Sequence, residues 1–363
     1  IIKIDLENRR NKNLRDPDAL LNFIDSKMTD DSMYYILIDE IQMVNEFEDV
    51  LNSYLKIKNA DLYVTGSNAR FLSKDIITTF RGRGDVVHIY PLSFREYHSA
   101  FDRPKEETLP EYLLYGGLPE TSQMTSVEEK TAFLRNVYEE TYIRDIRERY
   151  NIKQEEELEI LFDIVSSTVG SLTNPQKIAN TFDSLRQSDL SAVTIKKYLD
   201  IICESFLMEK VSRYDVRGRK YIETPYKYYF VDPGLRNARM NFRQPDFSHI
   251  MENVIYNELR IRGYNVDVGV VPLVIREDGR QVRRQYEIDF VCNLGSQRYY
   301  IQSVYRVESE AKCAQEETSL RNISDSFKKI VIVGEHTPVL RNEAGISTIS
   351  IYDFLLNPGS LEL

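Results

Sequence analysis

Apolar positions in the first hundred residues alternate between short unbroken runs and helical spacings. Ile1 to Leu6 reads as a strand already in progress, and Asp18 to Met28 repeats apolar residues at helical intervals. Tyr34-Tyr35-Ile36-Leu37-Ile38 is an apolar run of strand length that ends in Asp39-Glu40. Phe47 to Ile57 returns to helical spacing. Asp61 to Thr65 and Val86 to Tyr90 read as further strands. Unbroken apolar strands alternating with helices predict a parallel sheet covered on both faces.

The pattern then changes. Tyr112 to Tyr115, Glu128 to Arg149 and Glu155 to Val169 read as helices, with Glu155-Glu156-Glu157 as a solvated helix start suited to the dipole. Pro175 to Phe182 and Ser191 to Ser205 read as two helices. Met208 to Tyr214, a turn at Arg217-Gly218-Arg219 and a Tyr-rich strand Lys227 to Val231 follow. Helix, helix, hairpin is the order of a winged helix. From Phe247 onward the chain reads α/β again, with a helix to Arg262, strands at Tyr286–Val291, Arg298–Tyr305, Lys329–Val333 and Ser347–Ile351, and a short last helix.

At 363 residues the chain exceeds one ordinary domain of about 150 residues. Its net charge of −10 argues against a uniformly basic nucleic-acid coat, yet leaves room for a local basic patch. Cys203, Cys292 and Cys313 are far apart in sequence and form no CxxC, which disfavours a zinc cluster and fits a reducing cytoplasm. No apolar run reaches the roughly 18 residues of a membrane helix, so no membrane partner is expected.

Asp39-Glu40 is the most informative pair. In an open α/β sheet, ligands bind at the carboxyl edge of the strands. Asp39 there suits a hydrated Mg²⁺, and Glu40 suits the polarisation of a water attacking a γ-phosphate. This is a Walker B pattern; the plainer reading is a strand that ends in surface acids. The next strand ends Thr65-Gly66-Ser67-Asn68, which puts Ser67 and Asn68 where a sensor residue would touch nucleotide. Arg81 and Arg83 follow, in place to stabilise charge on a neighbouring subunit's nucleotide or to serve as an exposed loop.

The ordered set Ile-Leu-Ile-Asp-Glu-Ile-Gln, Thr-Gly-Ser-Asn, Arg-Gly-Arg, Tyr-Pro-Leu-Ser-Phe-Arg-Glu-Tyr and Tyr115-Gly116-Gly117-Leu118-Pro119-Glu120 resembles prokaryotic AAA+-type ATPases with a C-terminal domain of unknown function. The resemblance runs over essentially the whole chain. It implies a P-loop fold, binding of ATP and Mg²⁺, and hydrolysis. Walker A departs from it, because no Gly in the chain is followed by Lys. In the family that loop precedes the segment where this chain begins. The expectation is a core without its first strand, P-loop and helix, by truncation or by loss, which binds nucleotide weakly or not at all as it stands.

Residues 186–240 hold eleven Lys+Arg against seven Asp+Glu, net +4 within a chain of −10. Ser191, Thr194, Lys196 and Lys197 open the second helix, where a recognition helix would meet the major groove, and Arg217, Arg219 and Lys220 would form a wing tip for phosphate contact. Docking to a protein or acting as a lid is the other open reading. Farther on, a helix with Glu252, a strand with Asp289 and a strand with Gln302 follow the order of the PD-(D/E)XK nuclease fold, which this region resembles. Its Glu-x-Lys is replaced by Gln302-x-Val304. A degenerate site is therefore expected, since Gln ligates Mg²⁺ poorly beside carboxylates and Val can neither polarise water nor stabilise charge.

The sequence thus predicts an α/β protein in four parts. These are a truncated AAA+-like ATPase core at 1–108, a helical lid or linker at 109–170, a winged helix at 171–245 and a nuclease-like domain at 246–363. ATP, Mg²⁺, a DNA or protein partner, homo-oligomerisation and a cytoplasmic location go with that expectation. A non-catalytic nucleic-acid- or protein-binding module is the alternative.

Overall fold

A computed structural model describes residues 1–66, 84–150, 152, 154–186, 190–243, 246–277, 280–306 and 310–363. Ser67, Asn68, Arg81 and Arg83 lie outside the described residues. The chain divides into two compact units, Ile1–Ile89 with Glu204–Phe206, and Tyr90–Cys203 with Leu207–Leu363. No helix among the described residues is long and apolar enough to cross a membrane.

In the first unit, β1 (Ile2–Asp5), β2 (Tyr34–Asp39) and β3 (Ala60–Val64) form a parallel sheet in the order β1-β2-β3. Ile2, Ile4, Ile36 and Ile38 are buried, but Tyr35 and Tyr63 on the opposite face are exposed, so among the described residues the sheet is covered on one face and not on the two that the apolar runs predict. Helix Pro17–Lys27 starts with proline at its first position, and the Asp16 carboxylate accepts from the Ala19 N–H. Both features satisfy a helix N-terminus. Helix Phe47–Tyr54 buries Phe47, Val50, Leu51 and Tyr54, the i, i+3, i+4, i+7 face of an amphipathic helix. Among the described residues the strand expected at Val86–Tyr90 does not form, and Val86, Val87 and Ile89 are exposed.

The second unit is built on an eight-stranded mixed sheet in the order β10-β11-β9-β8-β7-β6-β4-β5. Its strands are β4 (Met208–Asp215), β5 (Lys220–Phe230), β6 (Asn265–Glu277), β7 (Arg280–Leu294), β8 (Gln297–Val304), β9 (Lys328–Val333), β10 (Leu340–Arg341) and β11 (Ile346–Ser350). Two helices, Pro175–Arg186 and Ala192–Glu204, precede the β4–β5 hairpin, the succession read from sequence. The hairpin does not stand apart, however. Arg213-Tyr214-Asp215 pairs in parallel with Val268-Gly269-Val270 of β6. The expected boundary at 245/246 therefore cuts through one hydrogen-bonded sheet, and the one at 108/109 falls inside helix Lys105–Tyr115. Strand β6 escaped the sequence reading because Pro272 lies at its middle, where proline argues against a central strand. Here Pro272 pairs opposite Gln285 in the β6–β7 ladder.

The Gly116-Gly117 pair acquires a structural reason. Asp232 caps helix Pro233–Arg239 by accepting from the Leu235 N–H at 3.1 Å, and its other oxygen accepts from the Gly117 N–H at 2.6 Å. Gly116 has φ +75°, and a Cβ there would fall 1.9 Å from an Asp232 oxygen. Burial pushes the Asp232 carboxyl up to about 6, against the pull of its backbone N–H donors. Asn237 Nδ2 fastens the same joint by donating to the Leu113 and Leu114 carbonyls.

Candidate functional site

In the first unit the parallel register sets Asp5 beside Asp39 at the carboxyl edge of the sheet. One Asp5 oxygen accepts from the Glu7 and Asn8 N–H groups at 2.9 and 3.0 Å. Asp39 is exposed and accepts from the Thr65 hydroxyl, which in turn accepts from the Glu40 N–H at 3.2 Å. Among the described residues no second hydrogen bond reaches the other Asp39 oxygen. Glu40 follows at φ 55° in the left-handed region, and the Gln42 side chain donates to its carboxylate. A non-Gly residue in that conformation marks a position whose side-chain direction is fixed by its surroundings. Thr65 was not singled out from sequence. The signal was there, since a hydroxyl at the tip of the strand next to β2 can reach only the groups at that edge.

The nucleic-acid candidates occupy two places. Ser191 caps helix Ala192–Glu204: its hydroxyl accepts from the Thr194 N–H at 3.2 Å and lies 3.0 Å from the Thr194 hydroxyl. Lys196 and Lys197 are exposed on that helix. At the hairpin tip, the Asp215 carboxylate accepts from the Arg217 and Gly218 N–H groups, and Arg217 Nη2 donates to the Asn322 carbonyl at 2.9 Å. Arg217 and Arg219 line an open cleft of 890 Å³ together with Arg298, Tyr214, Asp325 and Phe327. Arg298 sits over the Tyr214 and Phe327 rings. Lys220, exposed, begins β5.

Glu252, Asp289 and Gln302 do converge. Glu252 comes from helix Phe247–Ile261, Asp289 from β7 and Gln302 from β8, and all three are buried. Gln302 Oε1 accepts from the Asp289 N–H at 3.4 Å, and Asp289 Oδ2 accepts from the Ser303 N–H at 2.8 Å. Val304 packs in an apolar cluster with Val331 and Val333. At the centre lies a residue the sequence reading passed over. Lys227 Nζ is 2.8 Å from Glu252, 2.7 Å from Glu287 and 3.7 Å from Asp289, and the lysine is 2% exposed. The Tyr229 hydroxyl donates to Glu252 at 2.6 Å. Lys227 and Tyr229 are two apart on β5 and so share a face, as Glu287 and Asp289 do on β7.

The charges in this cluster are interdependent. Burial opposes the Lys227 charge, but Glu252, Asp289 and Glu287 outweigh it and hold the ammonium above the usual lysine range. Burial, reinforced by the Glu252 charge, drives Asp289 well above the usual carboxylate range despite Lys227. Lys227 thus keeps its charge, and Asp289 is an acid whose ionised form burial disfavours.

Comparison with known proteins divides the chain in a related way. The AAA domain family matches residues 1–98, and a domain of unknown function (DUF8612) matches residues 106–246. An AAA-type domain therefore occupies the N-terminal part. An uncharacterized protein from Haemophilus influenzae is 32% identical over 362 residues, spanning 98% of this chain and 86% of that protein. An uncharacterized protein from Methanocaldococcus jannaschii is 24% identical over 373 residues, spanning 94% and 80%. The crystal structure of a Vibrio cholerae protein aligns with 94% of this chain and 78% of its own at 11% identity, with a TM-score of 0.23.

Proposed function

This chain belongs to the same family as the Haemophilus influenzae protein, and on that footing we propose that it is the working part of an ATP-driven switch. Residues 1–98 contribute the Asp39–Glu40 half of an ATP site, and the second unit delivers the outcome of hydrolysis to DNA or a protein partner. The observation that carries this reading is the strand-edge set Asp39, Glu40 and Thr65, linked through one hydroxyl. These residues fit the metal- and water-handling half of a nucleotide site; a Gly-Lys phosphate cradle is not present in the 363 residues. Bound MgATP supplies the phosphoryl group and neutralises its developing charge. Asp39 would hold the metal's water shell through the oxygen that Thr65 leaves free. Glu40 would accept the proton of the attacking water, its position set by the Gln42 amide. The test is Mg²⁺-dependent ATP turnover by the protein expressed from its complete gene, against Asp39→Ala. Turnover that survives the substitution unchanged sinks the proposal.

The cleft bearing Arg217, Arg219 and Arg298 favours nucleic acid over protein as the partner, since three guanidinium groups beside aromatic rings suit a phosphate backbone. The helix-helix-hairpin order agrees with a winged helix. An isolated antiparallel bridge between Thr173 and Tyr226 ties the segment before these helices to β5. With Gln302 and Val304 in place of a carboxylate and a cation, we read the remainder of the same sheet, from β6 onward, as a nuclease-like fold used for binding. Labelled duplex DNA mixed with the protein in Mg²⁺ or Mn²⁺ should be retained but not cut. Retention should weaken as salt rises and weaken again in an Arg217→Ala, Arg219→Ala variant. Cleavage, or retention indifferent to both salt and the arginines, contradicts this reading.

A further inference from the structure

We propose that the Lys227 ammonium is the resident cation of the acidic site formed by Glu252, Glu287 and Asp289, standing where a divalent metal would otherwise bind, so that the native site takes up neither Mg²⁺ nor Mn²⁺. The donor set is the kind hard divalent cations take: three carboxylates and the neutral Gln302 amide, which reaches Asp289 through its backbone N–H. A cation already sits among the carboxylates. Nζ is within hydrogen-bonding distance of Glu252 and Glu287, and Asp289 completes the ring at 3.7 Å.

Two of the carboxylates have further donors. Tyr229 donates to the same Glu252 oxygen that Lys227 contacts, and the Ser303 N–H donates to the Asp289 oxygen that does not face Lys227. Among the described residues no three His, Cys, Asp or Glu side chains are placed to share one metal ion, as expected if the ammonium, with its longer contacts, sets their spacing. Metal–oxygen distances of about 2.0–2.6 Å would need a tighter set. Lys227 arrives from β5, although β4 and β6 lie between β5 and β7 in the sheet. Its delivery to this point is therefore a property of the folded unit and not of strand pairing. The carboxylates neutralise an internal charge, and the site is closed to metal although Glu252, Glu287 and Asp289 all remain.

The test uses the full chain and the metal alone. Thermal unfolding and Mn²⁺ titration are followed for the wild type, Lys227→Ala, Glu287→Gln and Lys227→Ala/Glu287→Gln. Wild type is expected to show no Mn²⁺-dependent change in midpoint. Lys227→Ala is expected to gain one, with the midpoint rising by about 5 °C or more at saturating Mn²⁺, and the added Glu287→Gln should abolish the gain. Wild-type Mn²⁺ binding that Glu287→Gln removes overturns the proposal. So does a folded Lys227→Ala protein that ignores Mn²⁺. If Lys227→Ala does not fold in buffer, refolding in Mn²⁺ is compared with refolding in EDTA: recovery only with the metal supports the resident-cation reading. Failure in both leaves the wild-type titration against Glu287→Gln to decide: Glu287-dependent uptake overturns the proposal, and no uptake upholds it.

Discussion

Glu40→Gln is expected to lower MgATP turnover of the complete gene product by about 10²–10⁴-fold, the range contributed by a positioned general base, while nucleotide still binds. The substitution is close to isosteric. The amide oxygen can still accept from Gln42, and the backbone N–H can still donate to Thr65, so the left-handed turn at this position has no reason to relax. What is lost is the ability to take a proton from water. Binding measured with a fluorescent nucleotide should therefore separate from turnover measured by phosphate release. In contrast, Asp39→Ala also deletes the acceptor of the Thr65 hydroxyl and the contact proposed for the metal's water shell. Full turnover in Glu40→Gln would show that the pair at the strand edge is a surface terminus and nothing more.

Lys227→Met is expected to cost about 3–5 kcal/mol of stability, the usual loss when one partner of a buried ion pair is removed and the other stays. Methionine fills similar space, so the loss reports charge and not a cavity. Glu252 and Asp289 would be left buried without their cation, and only Glu287, 35% exposed, could turn to water. A sign follows for pH. Burial already raises Asp289 well above the usual carboxylate range, and the variant removes the ammonium that pulls it down, so the folded protein holds a proton that the unfolded chain releases. Its stability then falls as pH rises. The deficit relative to wild type should be larger at pH 8 than at pH 5, and adding Glu252→Gln should recover part of it. Urea midpoints at the two pH values provide the measurement. A deficit that does not change with pH would mean that Lys227 matters for packing and not for charge.

The chain's own pattern determined the first unit closely. Runs such as Tyr34–Ile38 and Asp61–Val64 do fold as strands, with Ile36 and Ile38 buried and Tyr35 and Tyr63 exposed, and the acids that follow Ile38 emerge at a strand edge. Asp39 and Glu40 were legible for that reason, and so were Glu252, Asp289 and Gln302, whose order along helix, strand and strand survives folding. Thr65 joined Asp39 only through the β2–β3 register, which pairs Ile38 with Val64 and thereby sets the two strand tips side by side. Burial of a strand is a local property of its residues, whereas register and sheet order are decided by contacts between segments far apart in sequence. The β4–β5 hairpin shows the difference. Its two strands and turn were plain from alternation and Gly218, yet its union with β6 depended on a ladder more than fifty residues away. Lys227 is the sharpest instance. In sequence it is one charged residue in a Tyr-rich strand, indistinguishable from a side chain reaching for solvent. Only the tertiary structure brings carboxylates from a helix and from a strand three places away in the sheet around its ammonium, because compensation of a buried charge depends on which groups the fold gathers in space.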